Sequence, residues 1–250
     1  MDREQGLRIA RRALACLDLT DLGDSCSPLD VAKLASKSRT PRGPVAAICV
    51  WPAFVSQARG LLRSSPVRIA TVINFPRGGD DIERAVNDTA EALGDGADEI
   101  DLVIPFRALL RGDEGLARDM IGAVRDHVTG ERRLKCILET GELRDVATIR
   151  RASEIAIAAE AHFIKTSTGK TPVSATPEAA RAMLEAIRAS GKPVGFKASG
   201  GVRTLDDAAL YLGLADEIMG SDWARPETFR FGASGLLDAL LATLDPAGAG

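Results

Sequence analysis

Two lysines and an aspartate carry the sharpest chemistry in this sequence. Asp101 lies in EIDLVI (99–104), Lys165 in HFIKTST (162–168) and Lys197 in PVGFKAS (193–199), each a short apolar run that reads as a β-strand. Alternate residues of a strand share a face. With Ile100, Leu102 and Ile104 packed outward, Glu99, Asp101 and Val103 face inward; Lys165 shares its face with Phe163 and Ser167, and Lys197 with Gly195 and Ser199. Neighbouring strands lie about 4.8 Å apart, so lysines on adjacent strands disfavour each other's ammonium form, and burial pushes the same way. A lysine held in this manner is a neutral amine near pH 7 and a nucleophile for carbonyl carbon. Asp101 is then placed to relay protons or to steady the ammonium that remains. Singly, each lysine reads as a solvated strand end, and Asp101 as a partner for Arg107 or a loop cap. Charged groups are rarely buried unless paired or employed, so the three together on inward faces predict Schiff-base chemistry with an acid/base partner.

The elements that must position these residues follow an alternation. The strand-like runs are 46–51, 68–75, 99–104, 134–140, 162–168, 193–199, 216–221 and 230–234, and most are followed by Ala/Leu/Glu/Arg-rich stretches of helical spacing. Eight such units in 250 residues predict an α/β fold, a (β/α)8 barrel forming one domain over 1–250, with an additional N-terminal helix over about 4–17 covering the barrel's N-terminal end. A doubly wound open sheet uses the same alternation, but the strand count favours the barrel. Asp101 on the third run and Lys165 on the fifth then fall in one inward layer. Thr176 and Pro177 predict a helix start, Ala180, Met183, Leu184 and Ile187 its apolar face, and Gly191 its end. Thr204 to Asp207 predicts another start.

A second cluster concerns phosphate. Gly169-Lys170 follows the fifth run, Gly200-Gly201-Val202-Arg203 the sixth, and Gly232-Ala233-Ser234-Gly235 opens the last helix. Glycines let backbone N–H groups approach an anion, helix N-termini favour negative charge, and barrels hold phosphate in their last loops. Together with the two cations, these loops predict a phosphorylated substrate. Other motifs fail. A Walker A loop ending at Gly169-Lys170-Thr171 needs glycine where Ile164 stands, and no GxGxxG follows a strand. Cys49 reads as a small core residue, His162 as an outward structural residue, and Asp80, Asp81 and Glu83 as a solvated loop and helix start.

Composition narrows the partners. Lys plus Arg number 32 against 35 Asp plus Glu, net charge is −3 and only 4% of residues are aromatic, which excludes the basic or stacking surfaces of a nucleic-acid binder. Four cysteines (Cys16, Cys26, Cys49, Cys136) without CxxC spacing indicate neither a disulfide framework nor a zinc site, and two histidines cannot build a histidine metal cluster. Neither a leader nor a membrane-spanning stretch is seen, so the expectation is a reduced, cytoplasmic, soluble protein with small-molecule partners and no membrane. For assembly the expectation is a homodimer.

The motifs resemble, over nearly the whole chain, those of the class I 2-deoxy-D-ribose-5-phosphate aldolase family. They run from LDLT (17–20) through AAICVWP, TVINFPRG, DEIDLVIPFRAL, ILETGEL, FIKTSTGK (163–170) and VGFKASGGVRT (194–204) to RFGAS. The resemblance implies a lyase of deoxyribose phosphate and deoxyribonucleoside catabolism that needs no metal or organic cofactor. It implies that Lys165 is the Schiff-base lysine, Lys197 the neighbour that lowers its pKa, and Asp101 the proton-relay carboxylate. It further implies substrate contacts from Asp18, Thr20, Cys49 and Thr168, and phosphate contacts from Gly169, Lys170, Gly201, Arg203, Gly232 and Ser234, with Gly200 beside them. Two departures stand out. Some members carry a second serine where this chain has Gly235, and some end in a mobile tail with a tyrosine, where this chain reads LDPAGAG and its one tyrosine is Tyr211. Gly235 keeps open a Schiff-base aldolase of another aldehyde. A catalytically idle phosphosugar-binding barrel is the reading from a different class, and the paired lysines with Asp101 argue against it.

Overall fold

The computed structural model describes residues 1–143 and 145–245. Among these, eight parallel strands close into a barrel: β1 (Leu17–Thr20), β2 (Ala47–Val50), β3 (Arg68–Ile73), β4 (Glu99–Val103), β5 (Arg133–Ile137), β6 (Phe163–Lys165), β7 (Gly195–Ser199) and β8 (Phe229–Ala233). Each pairs in parallel with its sequence neighbours, and β1 closes the ring against β8. The helices are α1 (Arg3–Ala15), α2 (Pro28–Lys37), α3 (Val55–Leu61), α4 (Ile82–Gly94), α5 (Phe106–Leu110), α6 (Glu114–His127), α7 (Val146–Ala158), α8 (Pro177–Ser190), α9 (Leu205–Met219) and α10 (Leu236–Leu244). A small antiparallel hairpin pairs residues 39–40 with 43–44. The (β/α)8 barrel is the predicted fold, and α1 is the predicted extra helix. It packs against α9 and α10 in the helical ring, and its Arg11, Leu14 and Ala15 line a concavity at the barrel's N-terminal end.

The strand register departs from expectation in two places that cancel in the count. LDLT is a strand, β1, although it is four residues long and follows a helix closely. The run 216–221 is not a strand: it continues α9, whose buried residues Tyr211, Leu212, Ala215 and Ile218 keep helical spacing until Gly220, at φ +100°, ends it. Helical periodicity outweighs the single β-branched Ile218 there. Asp101, Lys165 and Lys197 therefore stand on β4, β6 and β7, and the first two still share parity around the barrel.

Local signals explain the helices beside the site. Thr176 Oγ1 accepts from the Ala179 N–H at 3.2 Å, Pro177 opens α8, its apolar face is buried, and Gly191 at φ +63° closes it. Thr204 and Asp207 form a reciprocal capping box at the start of α9. The apolar core lies between sheet and helices, with Ile69, Ile100, Leu134, Ile164 and Phe231 fully buried. The barrel's interior, by contrast, is charged.

Candidate active site

Strand pairing sets the site before any side chain is considered. Asp101 on β4 is the register partner of Lys135 on β5, Lys165 on β6 faces Lys197 on β7, and Lys197 in turn pairs with Arg230 on β8. Alternation turns all five side chains inward. Asp101 sits at their centre: its Oδ1 accepts from Lys135 at 2.8 Å, and its Oδ2 from both Lys165 and Lys197 at 2.8 Å. Lys197 also donates to Asp18 Oδ2 at 2.6 Å, and Lys135 lies 2.5 Å from Glu99 and 3.6 Å from Asp18. Arg230 closes the network, donating to Asp18 at 2.6 Å and to Glu99 at 2.9 Å.

Four cations thus share three carboxylates, and they share them unequally. Lys135 has three carboxylate neighbours and Lys197 two, whereas Lys165 has Asp101 alone. Burial lowers the Lys165 pKa, and repulsion from Lys197 adds to this, against the opposing pull of Asp101 and a smaller one from Cys49; the net shift is downward. Burial acts on Lys197 too, but Asp101 and Asp18 outweigh it and hold its pKa above the ordinary lysine value. The same balance raises Lys135. The expectation that each lysine lowers the other therefore holds in one direction only. Burial would raise the Asp101 carboxyl, yet Lys135, Lys165 and Lys197 together hold it well below the usual range.

A cavity of about 530 Å³ opens at the C-terminal ends of the strands. Of the expected substrate contacts Thr20 and Thr168 line it, and with them Gly169, Lys170, Gly200, Gly201, Arg203, Gly232 and Ser234 from the three glycine-rich loops, though not Gly235. Two glycines are fixed by space. A Cβ at Gly200 would lie 2.5 Å from Ser174, and one at Gly232 would lie 2.5 Å from Ser199 Oγ and 2.9 Å from Lys197 Cε. Asp21 just after β1, Lys37 from α2 and Asp238 from the first turn of α10 complete the charged rim. Lys170 reaches out of the cavity to Asp24 at 2.9 Å.

Two expected contacts are placed differently. Asp18 does not face the cavity: it is fully buried and both its oxygens are taken by Lys197 and Arg230, so it holds the network rather than a substrate. Cys49 is buried with Leu22, Ala70 and Val72, and its thiol is pushed up to about 11 by burial and then by Asp101, which makes it a protonated wall beside the lysines. Tyr211 is part of the α9 shell, its phenol pushed up to about 12 by burial. The end of the LDPAGAG tail, 246–250, lies outside the described residues. His162 is structural as expected, its Nδ1 accepting the Leu134 N–H at 2.9 Å.

Three residues had no place in the sequence reading. Lys135 and Arg230 are inward charges in LKCILET and RFGAS, and applying to those runs the alternation used for Lys165 finds both. Glu139 has no such signal. It lies just beyond β5 at φ +56°, fully buried, and its carboxylate accepts from the Thr168 hydroxyl at 2.6 Å, the Thr168 N–H at 3.2 Å and the Thr171 hydroxyl at 3.3 Å. It thereby ties down the loop that carries Gly169 and Lys170.

The sequence and fold were compared with known proteins. The model of the DeoC/LacD family aldolases matches residues 14–239. A curated deoxyribose-phosphate aldolase of Agrobacterium fabrum is 54% identical over 245 residues, which span 98% of this chain and 95% of the relative. A crystal structure from Toxoplasma gondii ME49, provisionally described as a deoxyribose-phosphate aldolase, matches 99% of this chain and 100% of its own at 25% identity and TM-score 0.89. A tetrameric deoxyribose phosphate aldolase from Aeropyrum pernix matches 96% of this chain and 95% of its own at 23% identity and TM-score 0.77, a likeness of fold.

Proposed function

The chain belongs to the DeoC/LacD aldolase family, and from that premise we propose that Lys165 is its Schiff-base nucleophile, acting on 2-deoxy-D-ribose 5-phosphate. The protein is an aldolase, a carbon–carbon lyase, whose reaction is reversible cleavage of that sugar phosphate to D-glyceraldehyde 3-phosphate and acetaldehyde. The observation that carries the proposal for Lys165 is its share of the buried charge: of three lysines around Asp101 it alone has one carboxylate and a lowered pKa.

Neutral Lys165 Nζ adds to C1 of the open-chain aldehyde, and loss of water leaves a protonated imine. Acetaldehyde carries away C1 and C2, so the bond that breaks is C2–C3. Its electron pair moves into the iminium to give an enamine as the C3 hydroxyl loses its proton and becomes the aldehyde of glyceraldehyde 3-phosphate. Asp101, bonded to Lys165 and to two further lysines, relays that proton directly or through a water; held so far below neutrality, it passes a proton on rather than keeping it. The enamine takes a proton at C2, and water hydrolyses the resulting imine to release acetaldehyde and Lys165. Lys197 remains an ammonium throughout, and Asp18 keeps it so.

The phosphate is assigned to the cavity of Gly169, Lys170, Gly200, Gly201, Arg203, Gly232 and Ser234, at the start of α10, where the absent second serine at Gly235 still leaves a backbone N–H. Anchoring it holds C2 and C3 in register with the imine. The deciding experiment is borohydride reduction in the presence of 2-deoxyribose 5-phosphate, with intact-mass and peptide mapping. An adduct on Lys165 is the expected result. An adduct on Lys197 or Lys135, or near-wild-type turnover by Lys165→Ala, overturns the assignment. A homodimer in the cytoplasm remains the expected setting, with sedimentation velocity as the check on assembly. No helix among the described residues is long and apolar enough to cross a membrane.

A further inference from the structure

At the opposite end of the barrel from the mouth cavity, the N-terminal ends of the strands enclose a second concavity of about 430 Å³. Five arginines from separate segments converge on it: Arg11 from α1, Arg42 from the hairpin, and Arg68, Arg133 and Arg230 from the starts of β3, β5 and β8. Only two carboxylates, Glu99 and Glu227, share the lining. Glu99 is already committed to Lys135 at 2.5 Å and Arg230 at 2.9 Å. Arg42 pairs with Asp245, and Arg230 is satisfied by Asp18 and Glu99.

Three arginines are left over. Among the described residues, neither Arg11 nor Arg133 has a carboxylate within 4 Å, and Arg68 comes no nearer than 3.8 Å to Glu99. Arg68 and Arg133 each spend one guanidinium N–H group on a backbone carbonyl, of Glu131 and Arg132. Five N–H donors per guanidinium leave several in each case without a partner. Both side chains are half-buried, so water compensates them only in part. Converging, partly desolvated like charges are unfavourable until an anion answers them. A planar fork of donors matches the oxygens of a carboxylate or a phosphate rather than a halide, three unanswered cations call for a dianion rather than a single carboxylate, and the volume suits a small organic phosphate.

We propose that this base concavity is a second anion site, separate from the mouth of the barrel, that binds a dianionic phosphate group through Arg11, Arg68 and Arg133. The group is inorganic phosphate or the phosphate of a small monoester, and the two are distinguished by using both as probes. In a Ser234→Glu protein a fixed carboxylate occupies the mouth cavity, so phosphate binding that persists reports the base. Isothermal titration of this protein with inorganic phosphate and with glycerol 3-phosphate is expected to show about one equivalent bound. Equal affinity for both probes assigns the site to the phosphate group alone, and tighter binding of the ester assigns it to an organic phosphate. Adding Arg68→Gln and Arg133→Gln is expected to weaken binding at least tenfold. Arg11→Glu, at an exposed position that leaves folding intact, is expected to weaken it severalfold. Absence of binding in the Ser234→Glu protein, or unchanged affinity in the folded Arg11→Glu variant, overturns the proposal.

Discussion

Replacing Lys197 by methionine tests the charge arithmetic of the site directly. The side chain keeps most of its volume but loses the ammonium that shares Asp101 Oδ2 with Lys165, each nitrogen lying 2.8 Å from that oxygen. The two nitrogens are therefore no more than twice that distance apart, and at an effective dielectric near 20 unit charges so placed repel by at least about 3 kcal/mol. With about 1.4 kcal/mol to a pKa unit, removing the repulsion raises the Lys165 pKa by about 2 units. Asp101, freed of one partner, holds the Lys165 ammonium more firmly and shifts it the same way. The sign is fixed: a higher pKa means less free amine at neutral pH, so the acid limb of kcat/KM moves up by about 2 pH units. Turnover on the acid side of the limb falls by up to about a hundredfold, and the loss disappears as pH rises above the shifted limb. The assay is a pH–rate profile of 2-deoxyribose 5-phosphate cleavage, coupled to reduction of the released aldehyde, with near-UV circular dichroism confirming the fold. A loss equal at every pH with the acid limb unmoved refutes the reasoning, because it makes Lys197 a scaffold rather than an electrostatic neighbour.

Three further outcomes follow from the same geometry. Glu139→Gln turns an amide donor toward donors that now meet a carboxylate; losing one such bond is worth about 1 kcal/mol, so KM for the phosphosugar should rise about fivefold with kcat less affected, as steady-state kinetics would show. Lys170→Ala and Arg203→Ala should each raise KM for 2-deoxyribose 5-phosphate about tenfold and leave unphosphorylated 2-deoxyribose nearly unchanged, if both line the phosphate seat. His162 is pushed down to about 4 by burial and then by Arg125 and Arg133, whereas an unfolded imidazole takes its proton near 6.5. Its contribution to stability is whole above pH 6.5 and lost as pH falls toward 4; allowing for partial exposure it amounts to about 1–2 kcal/mol. Thermal unfolding between pH 7 and 5 should show that dependence in the wild type and less of it in His162→Asn.

Much of the architecture was legible because it rests on periodicity. The faces of α8 and β4 and the capping of α9 follow from residue spacing that tertiary packing did not override. The errors lie where spacing is ambiguous: β1 is too short to declare itself, and residues 216–219 carry an isoleucine that suits either state. At the site, the inward placement of Asp101, Lys165 and Lys197 was readable from parity, and the loops that meet at the mouth cavity from glycine beside cation. Asp18 was misplaced because a motif says that a residue matters but not which way its carboxylate turns. Glu139 was missed because its conformation, not its neighbours in sequence, brings it to Thr168.

Which lysine is the nucleophile cannot be settled from the lysines themselves. A pair on adjacent strands is symmetric, each lowering the other, and parity alone treats them alike. The symmetry is broken from outside the pair. Asp18 on β1 reaches Lys197 but is not within salt-bridge distance of Lys165, because the ring closes β1 against β8, next to β7. Lys135 takes the remaining pull of Glu99 and Asp101. A buried cluster of four cations and three carboxylates is one proton from neutrality, and desolvation favours giving that proton up. It leaves from the amine with the fewest carboxylates. Barrel closure, by bringing the first strand to the last, thus leaves Lys165 the amine least held by carboxylates, as the proposed assignment requires, and Asp18 on β1 bears on that choice from a fully buried position.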